Sequence, residues 1–393
     1  MKKIFITGFA LLSLFKLSAQ NTHKDSSNYK STTLKLEEIN MVSSYYQQDG
    51  NNAAVTGGIG TQKLTDIANT IDVRFFKYDK KGIKHNWDLE VGVDHYTSAS
   101  SDMVDLQANT SASSADTRVY PSVMYSRENE SNGQTLSLGV SSSTEYDYQS
   151  FGGTVGFAKQ TKNQNGEFIA KFQTYLDQVK QILPVELRTA ESPRGTEARN
   201  TFAGSVGYSQ IINKNFQLMF LLDVIQQNGY LSLPFHRVYF SDGNVHQENL
   251  PDSRVKIPVS VRGSYFIGNH IILRAFYRNY TDTWNLKAHT VDFELPVKVS
   301  PFVSLSPFYR YYSQQGAKYF KGFQEHTNAS EFYTSNYDLS TFNSHFIGAG
   351  LKFTPLNGVF GIKHFNTLEV RYGHYNRSNN LTSNILSIHL KYK

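Results

Sequence analysis

The sequence contains no cysteine and only 2 tryptophans among 393 residues. A chain without cysteine cannot form a disulfide, carry a lipid-modified cysteine or bind a metal through a thiolate. After the N-terminal region, no apolar run approaches the roughly 20 residues that a membrane-spanning helix needs. No Pro-rich or Ser-rich spacer and no charge block divides the chain. We therefore expect one continuous domain that is neither disulfide-stapled nor a helical membrane protein.

Residues 1–19 have the pattern of a secretory signal peptide. Lys2 and Lys3 precede an apolar run over residues 4–15, and Ala19 provides a small residue at the expected cleavage site. This segment carries three Lys and no acid, so its removal lowers the formal net charge from +6 to about +3. We expect an exported protein whose charge is too small to favour nucleic acid as a partner.

The chain is polar on average and yet rich in aromatic residues. Aromatic residues make up 14% of the sequence, with 25 Tyr and 27 Phe, while all hydrophobic residues together make up 39%. A polar average, many aromatics and an export signal without later membrane helices are typical of a transmembrane β-barrel.

Apolar and polar residues alternate along many segments, as expected for strands with two different faces. The alternation is clear in NWDLEVGVDHY (86–96), VKIPVSVRGSYF (255–266) and NILSIHLKYK (384–393). A soluble sandwich also alternates, but it seldom repeats charge on the second face so persistently. The charged face that recurs here predicts a water-filled lumen.

About sixteen strands can be placed by this alternation, and the joins between them are unequal in length. The predicted strands are 34–49, 67–78, 85–97, 117–127, 134–146, 150–160, 166–178, 200–212, 215–227, 255–267, 270–282, 286–298, 301–314, 341–354, 364–376 and 381–393. All long joins follow odd-numbered strands: 50–66, 98–116, 179–199, 228–254 and 315–340. Outer-membrane barrels have short periplasmic turns and long extracellular loops. The prediction is an all-β antiparallel barrel over residues 34–393 in the outer membrane, preceded by a flexible segment over 20–33.

Aromatic residues cluster near predicted strand ends, as in FYRYY (308–312) and VRYGHY (370–375). Such clusters favour a membrane-interface girdle, the alternative being the core of a soluble β protein. Pro258, Pro296 and Pro307 fall within predicted strands, where each removes a ladder donor. We expect these prolines near rims or at bulges.

Several stretches together resemble a family of Gram-negative proteins known only as a domain of unknown function. They are SYYQQDGN (44–51), VTGGIGTQKLTD (55–66), DHYTSASSD (94–102), STEYDYQSFGG (143–153), LPFHRVYF (233–240), ENLPDSRVKIP (248–258) and EVRYGHY (369–375). The resemblance covers nearly the whole chain after the leader. It implies an outer-membrane barrel, common in Bacteroidota, encoded near a flavin-transferase-like lipoprotein, a thioredoxin-like protein and a small lipoprotein.

The glycine-rich stretch NNAAVTGGIGTQKLTD (51–66) invites comparison with a phosphate-binding loop. A Walker loop requires Gly-Lys-Ser/Thr before a helix, whereas here Gly60 and Lys63 are separated by two residues and no helical period follows. We interpret Gly57, Gly58 and Gly60 as positions where the loop adopts positive φ or packs closely against the barrel wall.

The long join at 228–254 is the candidate constriction loop, expected to bend inward and narrow the lumen. Its candidate residues are Phe235, His236, Arg237, Tyr239, Asp252 and Arg254. His236 and His246 with an acid could hold a divalent ion, but their spacing on a loop specifies no ligand set. We therefore predict no metal site and no cofactor.

A charge ladder along the lumen is the second candidate site. Its members are Asp72, Arg74, Asp88, Glu90, Arg262, Arg274, Arg278, Asp292, Glu294, Arg310, Glu369 and Arg371. Opposite charges on adjacent strands attract across a sheet and would keep the wall rigid and hydrated. A charged pore lining can instead act as a filter, although similar numbers of both signs predict no clear ion preference.

Three functions are compatible with this pattern. The first is a porin-like channel for small polar solutes, and the second is a structural or assembly barrel that holds a lipoprotein or a redox or secretion partner. The third is an outer-membrane hydrolase, which would need a Ser and a His in contact on the lipid-facing wall; His289, His345 and His374 lie near strand ends. The predicted partners are outer-membrane lipids, the barrel assembly machinery and a lipoprotein or redox partner, with no nucleic acid.

Overall fold

The computed structural model describes residues 30–97, 115–189 and 195–393. The predicted signal peptide lies outside the described residues, as do most of segment 20–33 and of the join at 98–116. Residues Thr32–Lys393 form one compact unit. Within the described ranges, no helix combines the length and the apolar character needed to cross a membrane.

Nineteen strands are formed in the described residues, and most of them are long. They are β1 (Lys35–Gly50), β2 (Leu64–Tyr78), β3 (Lys84–Thr97), β4 (Ala115–Asn129), β5 (Gln134–Thr144), β6 (Tyr148–Gln160), β7 (Gly166–Lys180), β8 (Thr196–Asn213), β9 (Phe216–Gly229), β10 (Arg237–Tyr239), β11 (Val245–Gln247), β12 (Ser253–Ile267), β13 (Ile271–Asp282), β14 (Lys287–Glu294), β15 (Val297–Lys298), β16 (Val303–Gln315), β17 (Phe342–Phe353), β18 (Phe365–Arg377) and β19 (Leu381–Tyr392).

The sheet closes on itself. Each long strand pairs antiparallel with its neighbours in chain order, and β1 pairs with both β2 and β19. β9 pairs directly with β12, since β10 and β11 form a separate hairpin inside the intervening loop. β14 and β15 together make one barrel strand, interrupted at residues 295–296. The described strands therefore form a barrel of sixteen, which confirms the predicted fold.

Two of the three strand prolines meet at this interruption. The ladder between β14 and β16 ends at the pair Glu294 and Phe308 and resumes between β15 and β16 at Val297 and Leu305. Pro296 and Pro307 lie in this gap. Neither has a backbone N–H to donate to the ladder, which explains the interruption. Pro258 lies inside β12, where the pairing with β9 is interrupted between residues 256 and 259.

The long connections gather at one end of the barrel, which we call the loop end; the opposite end is the turn end. Connections 51–63, 230–252 and 316–341 lie at the loop end, as does the described segment 181–189. At the turn end the longest connection is 354–364. The asymmetry agrees with that of outer-membrane barrels.

The outward face of the strands is apolar and uncovered. On β5, for example, the outward side chains of Leu136, Leu138 and Val140 are 49%, 57% and 66% exposed. A soluble β protein buries such a face, so the alternative of a soluble core is wrong. A bilayer is the environment that covers a continuous apolar belt of this kind.

A charge introduced on this face is expected to destabilise the barrel, whereas one on the inward face is not. Val140→Arg places a guanidinium near the middle of outward-facing β5, and we expect it to lower the free energy of unfolding in liposomes by about 2–4 kcal/mol. Ser137→Arg, on the inward face of the same strand, is the control and should cost less than about 1 kcal/mol. Urea titration in liposomes measures both, and equal losses would contradict the assignment of the two faces.

Candidate functional site

The loop end is closed over by four connections that pack together. We call segments 51–63, 181–189, 230–252 and 316–341 the loop cap. The β10–β11 hairpin forms its centre and continues into 316–341 through isolated bridges. The backbone N–H of Tyr333 donates to the Asn249 carbonyl at 2.7 Å, and the Thr334 hydroxyl donates to the Glu248 carboxylate at 2.5 Å. The long loops are therefore one folded unit.

The glycines of 51–63 let this segment pack against the rest of the loop cap. Gly57, Gly58 and Gly60 have φ of +79°, +87° and +84°, a region that favours glycine, which confirms the first part of the expectation. A Cβ on Gly57 would lie 2.5 Å from the Tyr239 ring, and one on Gly58 would lie 2.9 Å from the Tyr337 ring. The glycines thus provide positive φ and close approach to two aromatic rings of the cap.

Arg237 joins three segments of the loop cap. Its side chain is 5% exposed and binds the Glu186 carboxylate through Nε and Nη2 at 2.5 and 2.9 Å. Its Nη1 donates to the Val55 carbonyl at 2.8 Å. The guanidinium holds the pKa of Glu186 below its ordinary value. Because Glu186 follows β7 and Val55 follows β1, this one side chain spans much of the barrel mouth.

The other predicted residues of the constriction loop have structural contacts. Phe235 is buried with φ of +62°, and Tyr239 packs against Phe323 with ring centroids 5.0 Å apart. Asp252 accepts through its carbonyl from the Gly229 N–H at 2.8 Å. Arg254 donates through Nε to the Asp282 carboxylate at 2.9 Å.

The two histidines of the loop are directed to different neighbours. His236 places Nδ1 3.7 Å from the Glu248 carboxylate, while His246 packs on Phe240 with ring centroids 4.2 Å apart. Among the described residues, the group of three side chains whose potential ligand atoms all lie within 4.8 Å of one another is that of Asp116, Glu145 and Asp147. The histidines do not form such a group with an acid.

Polar contacts fix the loop cap to separate parts of the barrel wall. On β8, Arg199 donates to the carbonyls of Tyr230 and Ser232 at 2.8 and 3.1 Å. On β16, Gln314 donates to the Asp338 carbonyl at 2.9 Å. β8 and β16 are separated by several strands in either direction around the barrel. The cap is therefore anchored across the mouth.

An apolar core attaches the cap to a third part of the wall. Trp284, Leu286 and Ala288, at and beside the β13–β14 connection, are buried against Leu250 and Ala317 of the cap. The described barrel thus has its main buried hydrophobic cluster at the loop end. Burying a side chain of this size contributes about 1.5–3 kcal/mol, so the cluster is a substantial part of the cap's stability.

Two acidic members of the predicted charge ladder, Asp72 and Asp88, lie beside Arg74 on the first strands. Arg74 lies 3.1 Å from the Asp88 carboxylate, 3.2 Å from Glu38 and 3.5 Å from Asp72. Glu38 also binds Lys391 of β19. Sequence reasoning missed Glu38 because a register shift between residues 36 and 38 breaks the alternation at this point.

The later ladder residues form a second network on β13–β18. Its pairs are Arg274 with Glu294 at 2.9 Å, Arg371 with Glu294 at 2.9 Å, Arg371 with Glu369 at 3.0 Å, and Arg310 with Asp292 at 2.8 Å. Arg262 and Arg278 lie instead over the Phe276 ring, with guanidinium carbons 5.5 and 5.2 Å from its centroid. This contact with a ring distinguishes Arg262 and Arg278 from the three arginines of the network, which bind carboxylates.

The two signs of charge are partly segregated around the lumen. The inward faces of β2 and β3 carry the acids Asp66, Asp72, Asp88, Glu90 and Asp94. The inward faces of β12–β18 carry Arg262, Arg274, Arg278, Arg310 and Arg371. An acid-rich wall thus lies across the lumen from an arginine-rich wall. Each wall also carries the opposite sign: Arg74 lies among the acids, and Asp292, Glu294 and Glu369 lie among the arginines. A cavity of about 1000 Å³ lies against the arginine-rich wall and reaches Asp338 of the loop cap.

The histidines considered for hydrolysis have other partners. His289 and His345 each share a hydrogen bond with a tyrosine hydroxyl, of Tyr277 at 2.8 Å and of Tyr309 at 2.7 Å. His374 contacts the side-chain oxygen of Asn384 at 2.9 Å.

Loss of the Arg237 contacts is expected to loosen the loop cap. Arg237→Met removes charge-assisted hydrogen bonds to Glu186 and should lower the local opening free energy by about 2 kcal/mol. Hydrogen exchange of the amides in 235–249 measures the change. Lys63→Met, which removes an exposed cation of the same cap that lies 4.0 Å from Asp49, is the control. Equal protection in the wild type and Arg237→Met would contradict the bridging role.

Acid is expected to loosen the cap through His326. This ring is 1% exposed, its Nε2 lies 3.0 Å from the Thr334 carbonyl, and Nδ1 has no partner in the described structure. Burial lowers the pKa of His326, so the folded cap favours the neutral imidazole. The contribution of this ring to the stability of the cap is therefore complete above about pH 6.5. That contribution is lost as pH falls through the lowered folded pKa.

Acrylamide quenching of Trp284 in a Trp87→Phe background measures this opening, because Trp284 is 3% exposed where the cap packs against the barrel wall. We expect quenching to increase between pH 7 and pH 5, and the increase to shrink in His326→Gln. His364→Gln, at the turn end, should keep the full pH response. A response unchanged by His326→Gln would assign the titration to another group.

Comparison with known proteins places the chain in a family. No curated protein matches it. Among solved structures it is similar to a BenF-like porin from Pseudomonas fluorescens Pf-5, with 9% identity, a TM-score of 0.44, and coverage of 93% of this chain and 100% of that one. It is also similar to OccK2 (OpdF) of Pseudomonas aeruginosa, with 8% identity, a TM-score of 0.42, and coverage of 92% and 98%.

A third similar structure is the siderophore receptor PirA from Acinetobacter baumannii, with 9% identity, a TM-score of 0.45, and coverage of 88% of this chain and 54% of that one. A family model matches residues 95–385, which is well over half of the chain. The chain therefore belongs to the family described as "Protein of unknown function (DUF3570)".

Proposed function

We propose that the protein is an outer-membrane channel for small polar solutes whose external mouth is narrowed by the loop cap. The observation that carries the proposal is the closed barrel of sixteen strands with charged side chains on its inward faces. Barrels of 16–18 strands are wide enough to enclose water. Ion pairs that line a barrel interior need such a hydrated space, because an unhydrated charge is costly to bury.

The outer membrane is the location that fits the chain. The strands carry an uncovered apolar outward face, and the N-terminal sequence has the pattern of an export signal. The long connections lie together at the loop end, which is the external end in outer-membrane barrels. The turn end would then face the periplasm.

The segregated charges suggest how the channel handles solutes. The excess of acids on β2–β3 opposite the excess of arginines on β12–β18 is expected to produce an electric field across the lumen rather than along it. A polar solute with separated charges can align with such a field, whereas an apolar solute gains nothing and must still displace water. We therefore propose a preference for polar and charged solutes without strong overall selection between small anions and small cations.

A structural or assembly barrel is the second candidate. It is favoured by the loop cap, which is anchored to β8, to β13–β14 and to β16 and so lies across the mouth. A barrel closed in this way could serve to hold a lipoprotein or redox partner at its rim. We do not propose a hydrolase, because His289, His345 and His374 are engaged by tyrosine or asparagine rather than serine.

Single-channel recording in planar bilayers distinguishes the two candidates. We expect the detergent-folded protein to give discrete conductance steps, and Arg237→Met to give larger or longer openings because its cap is loosened. Lys63→Met should behave as the wild type. Heat-modified gel mobility confirms that each variant is a folded barrel. Silence from the folded wild type and from Arg237→Met would contradict the channel and favour the structural role.

A further inference from the structure

We infer that the arginine-rich wall holds a binding site for small aromatic dicarboxylates in the cavity below the loop cap. The inference adds a class of solute to the proposed channel function. It rests on that proposal only for the route by which the ligand reaches the cavity. Two guanidiniums without carboxylate partners and a group of aromatic rings share this cavity.

The two guanidiniums lie on adjacent strands of the arginine-rich wall. Register pairs Arg262 of β12 with Phe276 of β13, and Ser260 of β12 with Arg278 of β13. Arg278 is two residues from Phe276 on the same inward face. Both guanidinium carbons lie within 5.5 Å of the centroid of the Phe276 ring. Two like charges therefore converge on one aromatic side chain.

The neighbouring arginines are paired, whereas these two are not. Each of Arg274, Arg310 and Arg371 binds a carboxylate of Asp292, Glu294 or Glu369 at 2.8–3.0 Å. In the described structure, the contact found for Arg262 and Arg278 is the ring of Phe276. A ring face attracts a cation but does not neutralise it, and it leaves the N–H groups of the guanidinium fork free. Two positive charges and their donors remain available to a ligand.

Guanidinium forks match the geometry of carboxylates, which they bind through two parallel hydrogen bonds. Two unpaired forks near one ring favour a ligand with two carboxylates over a ligand with one. Asp292 and Glu294 border the same cavity, but their paired arginines already occupy them. Arg274 and Arg310 are therefore engaged, which leaves Arg262 and Arg278 as the guanidiniums of this cavity that a carboxylate ligand can bind.

The rest of the cavity fits a planar organic body. Tyr312, Phe342 and Tyr375 line it together with Phe276, and Ser264 and Thr290 add hydroxyl groups. The volume of about 1000 Å³ is at the upper end of the range for small-molecule pockets. A benzene ring carrying two carboxylates could stack on an aromatic side chain while its charges reach the two guanidiniums.

Isothermal titration of the full-length, detergent-folded protein with phthalate, benzoate and benzamide tests the site. We expect phthalate to bind most tightly, benzoate more weakly, and neutral benzamide at least about tenfold more weakly than phthalate. Arg262→Gln and Arg278→Gln should each weaken phthalate binding by about tenfold. Lys352→Gln removes one charge from β17 outside the cavity and should leave binding unchanged.

Arg278→Lys keeps the charge but loses the planar fork, so we expect it to weaken phthalate binding less than Arg278→Gln does. It also provides a measurement if a glutamine variant fails to fold. Benzamide binding as tightly as phthalate, or an equal loss in Lys352→Gln, would overturn the site. Conductance without phthalate binding overturns the site and leaves the channel. Phthalate binding by a protein that does not conduct supports the site and contradicts the channel.

Discussion

Closure of the β-sheet is the constraint on which the other features depend. In a bilayer no water is available to satisfy backbone N–H and C=O groups, so strands can cross it only when every strand has a partner on both sides. The pairing of β1 with β19 meets this requirement. Closure also divides each strand into an apolar outward face and a polar inward face, and it holds acids of β2–β3 away from arginines of β12–β18. The lumen charges are thus positioned by the same ladder that allows the barrel to exist.

The loop cap solves a different problem, because its segments have water on one side and the barrel mouth on the other. It gains stability from the apolar cluster that its Leu250 and Ala317 form with Trp284 of the wall, and from buried polar contacts such as that of Arg237 with Glu186. Arg237 and Arg262 illustrate the contrast between cap and lumen. The first is buried and satisfied by a carboxylate and a carbonyl, and it has a structural role. The second faces the lumen over a phenyl ring, and it remains available to a solute.

Alternation was sufficient to predict the fold, since a period of two is visible wherever one face meets lipid and the other meets water. Alternation failed locally at Glu38, where a bulge shifts the register. Because Glu37 and Glu38 are adjacent and of the same type, the sequence does not indicate which of the two faces the lumen. Contacts within the cap could not be predicted, because Arg237, Glu186 and Val55 are far apart in sequence and lie on loops without periodicity. The segregation of charge could have been inferred, because strands follow one another around the barrel in chain order.

The central claim is that water and small solutes reach the lumen past the loop cap. The chain has no cysteine, so a single thiol introduced by Ser264→Cys on the inward face of β12 gives a clean signal. The most direct measurement is the modification of this thiol in intact cells by a small, charged, membrane-impermeant thiol reagent added outside. The account predicts rapid modification. A folded, surface-assembled variant whose thiol reacts only after Arg237→Met loosens the cap would contradict it, because the mouth would then be sealed.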